Sequence, residues 1–138
     1  MYPITEKIII GKKAMLEKDS FINEEIGLSA EVKFTCDECG HQNSVSIRPY
    51  ESGFPVFQLY HENKVLSKHD LLNNGMAEET SSHMLHLGEI TVNNRPTLYF
   101  GTGCPFCDSK YIGVFSYGEK QPGLEVLSVS GIWNYTTV

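Results

Sequence analysis

All four cysteines of the chain fall into two C-x2-C pairs, Cys36-Asp37-Glu38-Cys39 and Cys104-Pro105-Phe106-Cys107. That spacing supports two kinds of chemistry. One pair alone can cycle between dithiol and disulfide, whereas two pairs together can set four thiolates at the corners of a tetrahedron around one ion. A turn with two intervening residues brings both sulfurs of a pair within reach of the same metal and lets nearby backbone N–H groups point at the thiolates. Gly40, directly after the first pair, and Gly103, directly before the second, are expected to supply backbone freedom for these turns.

"CDECG" and "CPFC", with strand-like sequence on either side, resemble the zinc-ribbon structural group, in which two knuckles at the tips of β-hairpins clamp one ion. The likeness covers about 40 residues and implies one structural Zn²⁺ held by Cys36, Cys39, Cys104 and Cys107, with no particular activity. It departs from that group in separation. There are 64 residues between Cys39 and Cys104, against the roughly 15 to 20 of a compact motif. Either a large insertion separates the knuckles or they sit on different parts of a larger β-fold. "CPFC" also resembles the C-P-Y-C active site of glutaredoxins, where a helix starting at the first cysteine lowers its pKa. Here "DSKYIGVFSY" follows, which is strand-like, so the thiol-disulfide oxidoreductase reading loses its main support. Rubredoxin-type iron would suit four cysteines equally well geometrically, but no partner redox motif accompanies them.

Four cysteine ligands close the shell around an ion, leaving no position for water or substrate, which argues for a structural metal and against a zinc hydrolase. His41 could substitute as a ligand or donate to a sulfur, against the plainer reading of an exposed turn histidine. His83 and His86 share a face only if helical, and a second metal site there is not expected. Adjacent carboxylates at Glu24-Glu25 and Glu78-Glu79 do not converge on one point and read as solvated faces. No nucleophile elbow or phosphate-cradling loop is present. The catalytic residue set is therefore empty.

These pairs need rigid mounts, and the sequence offers strands. Residues 97 to 101, 110 to 117 and 124 to 130 are rich in β-branched and aromatic residues, with "GEKQPG" as the turn between the last two. Leu28, Ala30, Val32 and Phe34 alternate on one face of a strand entering Cys36, and Val45 with Ile47 do so after Cys39. "FPVFQLY" and "KVL" suggest a hairpin joined at "HEN". Ser67 with Asp70 forms a capping box over "KHDLL", stopped by Asn73-Asn74-Gly75. A weak helix candidate lies within 13 to 25, and Gly75 to Ser82 reads as a mobile loop. Tyr99, Phe100, Phe106, Tyr111, Phe115, Tyr117 and Trp133 are assigned to the core and to shielding of the metal, with a base-stacking platform as the alternative. The expected fold is mainly β, a β-rich α+β arrangement: an antiparallel sheet with two zinc knuckles clamping one metal and a large insertion between them, in one domain over 1–138.

At 138 residues such a domain can bury roughly two-thirds of its unfolded surface. Its 41% hydrophobic and 20% charged content excludes a disordered chain. Ile8-Ile9-Ile10 is the longest apolar run near the N-terminus, too short for a signal peptide or membrane helix, so a cytoplasmic location and no membrane partner are expected. A reducing compartment favours metal ligands over disulfides. The net charge is −6, with Glu24, Glu25, Glu31, Asp37 and Glu38 opposed only by Lys33. Such a surface repels polyanions and attracts a basic protein. The resulting expectation is a non-enzymatic, zinc-stabilised protein-binding domain, of the kind small bacterial immunity proteins use against basic nuclease toxins. The alternatives are a zinc-ribbon nucleic-acid or transcription accessory protein and a CxxC oxidoreductase.

Overall fold

The computed structural model describes all residues, 1–138. Eleven strands and two short α-helices follow one another as β1 (Ile8–Lys13), β2 (Met15–Leu16), β3 (Ser20–Ile22), β4 (Ala30–Thr35), β5 (Gln42–Ile47), β6 (Phe54–Pro55), α1 (Phe57–Tyr60), α2 (Lys68–Asn73), β7 (Glu78–Glu79), β8 (Ile90–Thr91), β9 (Thr97–Gly103), β10 (Lys110–Gln121) and β11 (Leu124–Thr137). Short 3₁₀ segments fill Asn23–Glu25, His61–Asn63 and Ser82–Leu87. Strand takes 47% of the residues and helix 16%, so the fold is mainly β, and every strand pair is antiparallel.

The large sheet runs β1-β11-β10-β9-β6, with β3 also paired to β11. A smaller sheet, β2-β4-β5, covers one of its faces, and α1, α2 and the β7-β8 ribbon cover the other. Two hydrophobic cores of 17 buried residues each result. Equal cores explain why β10 reads as an uninterrupted apolar run: Ile112 and Val114 enter one core, Tyr111, Phe115 and Tyr117 the other. A strand buried on both faces has no polar side to show in its sequence.

Hairpins mount both cysteine pairs. Thr35 faces Gln42 across the mouth of the first turn, and Gly103 faces Lys110 across the second. The two hairpins belong to different sheets, which settles the separation of the pairs: the knuckles sit on distinct parts of a larger β-fold. In β4, Ala30, Val32 and Phe34 are buried as their alternation predicts, but Leu28 lies before the strand and is 86% exposed. The last hairpin turns tightly at Pro122-Gly123, and Gly123 takes a φ of +82°. Strand β11 continues seven residues past the predicted end, because Ile132, Trp133 and Tyr135 bury against the cores and Trp133 and Tyr135 pair with β1.

Three expectations fail. The segment after Phe54 is not a hairpin: α1 and a 3₁₀ turn replace it, since Val56, Leu59 and Tyr60 are buried at helical spacing while Phe57 is exposed. Glu62 and Asn63 turn the chain with φ of +56° and +52°. Residues 13 to 25 form β2, β3 and a 3₁₀ turn, since each piece pairs with a neighbouring strand and no apolar helical face exists. The segment from Gly75 to Ser82 is no open loop: Met76, Ala77 and Thr80 are buried, and Glu78 and Glu79 pair with Thr91 and Ile90. Helix α2 keeps its predicted cap. Ser67 Oγ accepts from the Asp70 N–H at 3.0 Å, and the Asp70 carboxylate accepts from the Ser67 N–H at 3.2 Å.

Gly113 is required by a close approach. It faces Phe100 across the β9-β10 pair, and a Cβ built there would lie 2.3 Å from Phe100 Cζ. Gly113→Ala is expected to cost about 1–3 kcal/mol by overpacking, read as a lower denaturation midpoint, and Phe100→Leu should recover part of the loss. An unchanged midpoint would show that the ring can move aside.

Buried phenols give a second prediction. Burial pushes the hydroxyls of Tyr99 and Tyr135 up, and burial, with the Glu125 carboxylate nearby, pushes Tyr117 up to about 12. A folded-state pKa above the unfolded value of about 10 favours the neutral form in the fold. This contribution is complete below about pH 10 and is lost as pH rises toward 12. The melting temperature should therefore fall across that window, with tyrosinate absorbance appearing together with unfolding. Ionisation of these phenols near pH 10 in the still-folded protein would contradict it.

Candidate metal centre

The first knuckle is shaped by backbone bonds between Cys36 and the residues beyond its turn. The Gly40 N–H donates to the Cys36 carbonyl at 2.9 Å, and the Cys36 N–H donates to the His41 carbonyl at 2.9 Å. Gly40 has a φ of +76°, a left-handed conformation that explains glycine at this position. The second knuckle closes through the Cys104 N–H to the Ser109 carbonyl at 3.0 Å and the Cys107 N–H to the Cys104 carbonyl at 3.4 Å. Gly103, expected to serve its turn in the same way, instead lies inside β9 without positive φ.

These turns bring together all four predicted cysteines. Their sulfurs lie within 4.8 Å of one another, and Cys36–Cys107 and Cys39–Cys104 are each 3.6 Å apart. Both close contacts join different knuckles. Neither is a disulfide, whose sulfurs sit about 2.05 Å apart; all four thiols are free. A tetrahedral ion with M–S bonds of about 2.3 Å spaces its sulfurs about 3.8 Å apart. Four sulfurs so placed could hold one metal ion.

The surroundings fit that donor set because they present hydrogen-bond donors to the sulfurs. Burial opposes ionisation of Cys36, but the Tyr111 hydroxyl, the N–H groups of Cys39 and Glu38, and the Cys107 thiol outweigh it and bring Cys36 down to about 6. Burial likewise opposes ionisation of Cys104, and the Asn43 amide and Phe106 N–H overcome it, lowering its pKa. Asn43 Nδ2 stands 3.5 Å from Cys104 Sγ. Cys39 goes the other way. The His41 N–H favours its thiolate, but burial and the neighbouring thiols push it up to about 12. Four anionic sulfurs this close repel one another, so the cluster reaches its fully ionised form with a cation at its centre.

Tyr111 ties the site to the core. Its hydroxyl is 3.2 Å from Cys36 Sγ, bonds the Asp37 carboxylate and accepts the Asp37 N–H at 3.1 Å, and its ring packs against Phe34 at 5.0 Å. Ser109 Oγ lies 3.3 Å from Cys107 Sγ. His41 is exposed, as its plainer reading expects, yet its Nδ1 lies 3.4 Å from Cys39 Sγ and its ring stacks on Phe106 at 4.1 Å, bridging the two knuckles. Phe106, 59% exposed, thus shields the site from outside the core. The other predicted aromatics are buried but divided: Tyr99 and Trp133 line one core, Phe100, Tyr111, Phe115 and Tyr117 the other. His83 and His86 are exposed on a 3₁₀ turn, and no metal-ligating cluster includes them.

Asn43 is the residue that sequence reasoning missed, although a signal existed: it falls in phase with Val45 and Ile47 on the buried face of β5. No helix is long and apolar enough to cross a membrane. Comparison with known proteins finds no matching family model, no matching curated protein and no matching solved structure.

Tyr111→Phe removes a donor from the Cys36 sulfur while keeping the packed ring. Metal affinity, measured by competition with a chromophoric chelator, is expected to fall about 10–100-fold, with the fold intact by circular dichroism. Equal affinity in the variant would leave Tyr111 a core residue only.

Proposed function

We propose that the protein is a non-enzymatic, zinc-stabilised binding domain that engages a basic protein, in the manner of an inhibitor that neutralises a nuclease. The observation that carries the structural part is the contact of thiols across two hairpins of different sheets at 3.6 Å. A metal held by all four has no vacant coordination position and acts on folding. The zinc-ribbon likeness belongs to this reading, since both pairs sit at hairpin tips. Zinc is preferred to iron because nothing around the site suggests an electron partner. The redox alternative is less well supported: β10 follows Cys107, so no helix dipole activates Cys104, and Cys104 is buried.

The binding part rests on the charge of −6. Several of the few cations are already paired on the surface, Lys18 with Glu25, Arg48 with Glu51, Lys64 with Glu62 and Lys68 with Glu89. A surface of this kind speeds association with a basic partner and disfavours nucleic acid. A base-stacking role lacks material, because most of the aromatics near the second knuckle are buried.

Two measurements test the two parts. Elemental analysis of the purified protein should find one zinc per chain, and a strong chelator should lower the melting temperature; iron, or a melt unaffected by metal removal, would reject the zinc reading. Mixed with basic nucleases encoded near its gene, the protein should inhibit one of them at equal stoichiometry, more weakly as salt rises. No inhibition of any of them at low salt would reject the partner.

A further inference from the structure

A cleft of about 520 Å³ opens on the face of the large sheet opposite the cysteines. Its floor is β11 at Ser128, Val129 and Ser130; Asp19 and Ser20 form one wall, and Glu78 with Thr91 to Asn93 the other. A β-bulge shapes the floor: Val114 pairs with Gly131 and Phe115 with Val129, leaving Ser130 without an opposite residue. Ser130 is internally satisfied, donating toward the carbonyls of Met76 at 2.6 Å and Val114 at 3.2 Å.

Ser128 differs. It is only 9% exposed, lines the cleft, and its hydroxyl shares in none of the side-chain hydrogen bonds that engage Ser130 or Thr91. Its partner across β10, Ser116, is fully buried, and its Oγ has no hydrogen-bond partner at all. Ser20 continues the row in β3. Buried hydroxyls left without partners are uncommon in folded proteins and call for an explanation. Ser116, the one such hydroxyl, lies behind Ser128 and does not itself line the cleft. Ser128 stands beneath two exposed carboxylates, Asp19 and Glu78, neither of them in a salt bridge although Glu78 accepts the Asn93 N–H at 2.9 Å, in a cleft lined by no lysine, arginine or histidine.

We propose that this cleft binds an organic cation, an ammonium or guanidinium group carried on an aliphatic stem. The carboxylates accept from the cationic head, Ser128 offers a hydroxyl oxygen beneath it, and Leu72, Ala77 and Val92 supply apolar wall for the stem. An anion would meet two carboxylates and no positive charge. A bare metal ion would leave most of the volume unfilled. The head group can come from a free alkylamine or from an arginine or lysine side chain of another protein. The second source rests on the basic-partner reading above; the first does not.

Agmatine, which carries both head groups, tests the site by backbone-amide NMR of the full chain at low salt, beside its neutral counterpart N-butylurea. Agmatine should give saturable shifts at Ser20, Glu78, Asn93, Ser128 and Ser130, and N-butylurea should bind about tenfold or more weakly. Asp19→Asn with Glu78→Gln should weaken agmatine about tenfold or more, and Ser128→Ala should weaken it measurably. Both carboxylates are exposed, so the fold should survive their exchange. Linear shifts scattered over surface carboxylates, equal binding of N-butylurea, or an undiminished affinity in the variants would overturn the site. A capped Gly-Arg-Gly peptide separates the sources: binding tighter than agmatine assigns a protein side chain, and weaker binding assigns a free amine. Failure of nuclease inhibition with agmatine bound would reject the partner and leave the cleft.

Discussion

Sulfur meets sulfur across the interface of two sheets, and this contact sets what the rest of the chain must do. Cys36 and Cys39 hang from the β4-β5 hairpin of the small sheet, Cys104 and Cys107 from the β9-β10 hairpin of the large one. Alone, the small sheet is three strands deep, one of them only two residues long. An ion held by both hairpin tips would cross-link the two sheets there. Sixty-four residues lie inside that link. By analogy with a disulfide closing a loop of such length, the denatured chain would be disfavoured by about 4 kcal/mol.

The core is organised around the same link. Cys36 and Cys104 are members of the core between the sheets, with Phe34, Val45, Phe100 and Tyr111 beside them. Tyr111 belongs to both worlds, its ring in the core and its hydroxyl on Cys36 and Asp37. Packing therefore fixes the direction of a hydrogen bond that favours a thiolate, and the thiolate favours the metal. The second core, beneath α1, α2 and the β7-β8 ribbon, contains no cysteine; it is apolar but for hydroxyls such as that of Tyr99, which bonds the Ile4 backbone.

How far this was legible depends on whether the determining contacts are local. The cysteine spacing, the alternation of Ala30, Val32 and Phe34, the cap at Ser67 and the aromatic strands near the C-terminus are written in adjacent residues, and the structure keeps them. The segment from Val56 to Leu66 was misread because its apolar residues fit a strand locally and become helical only when Leu59 and Val65 enter a core formed by distant chain. Met76 misled in the same way. Glycine and polar neighbours suggest a loop there, and only the pairing of Glu78-Glu79 with Ile90-Thr91 buries it. Asn43 carries the same lesson for the site: its role depends on Cys104, 61 residues away, and no local rule could supply that partner.

The cysteine cluster at the β9-β10 tip and the serine cleft on β11 belong to one sheet but are placed where neither needs the other. Lys110 opens β10 at the second knuckle, and Ser116, six residues on, is about 20 Å along the strand from it. Ser116 and Ser128 point to the helical side, away from the core that holds the cysteines. The bulge at Ser130 lies between these ends and changes the parity of β11, so that Val129 and Ile132 share one core despite being three residues apart. Without it, a strict alternation would turn either Val129 or Ile132 out of that core. Loss of the metal should act on the cleft only through global stability, whereas exchange of Asp19 or Glu78 should leave the sulfurs where they are.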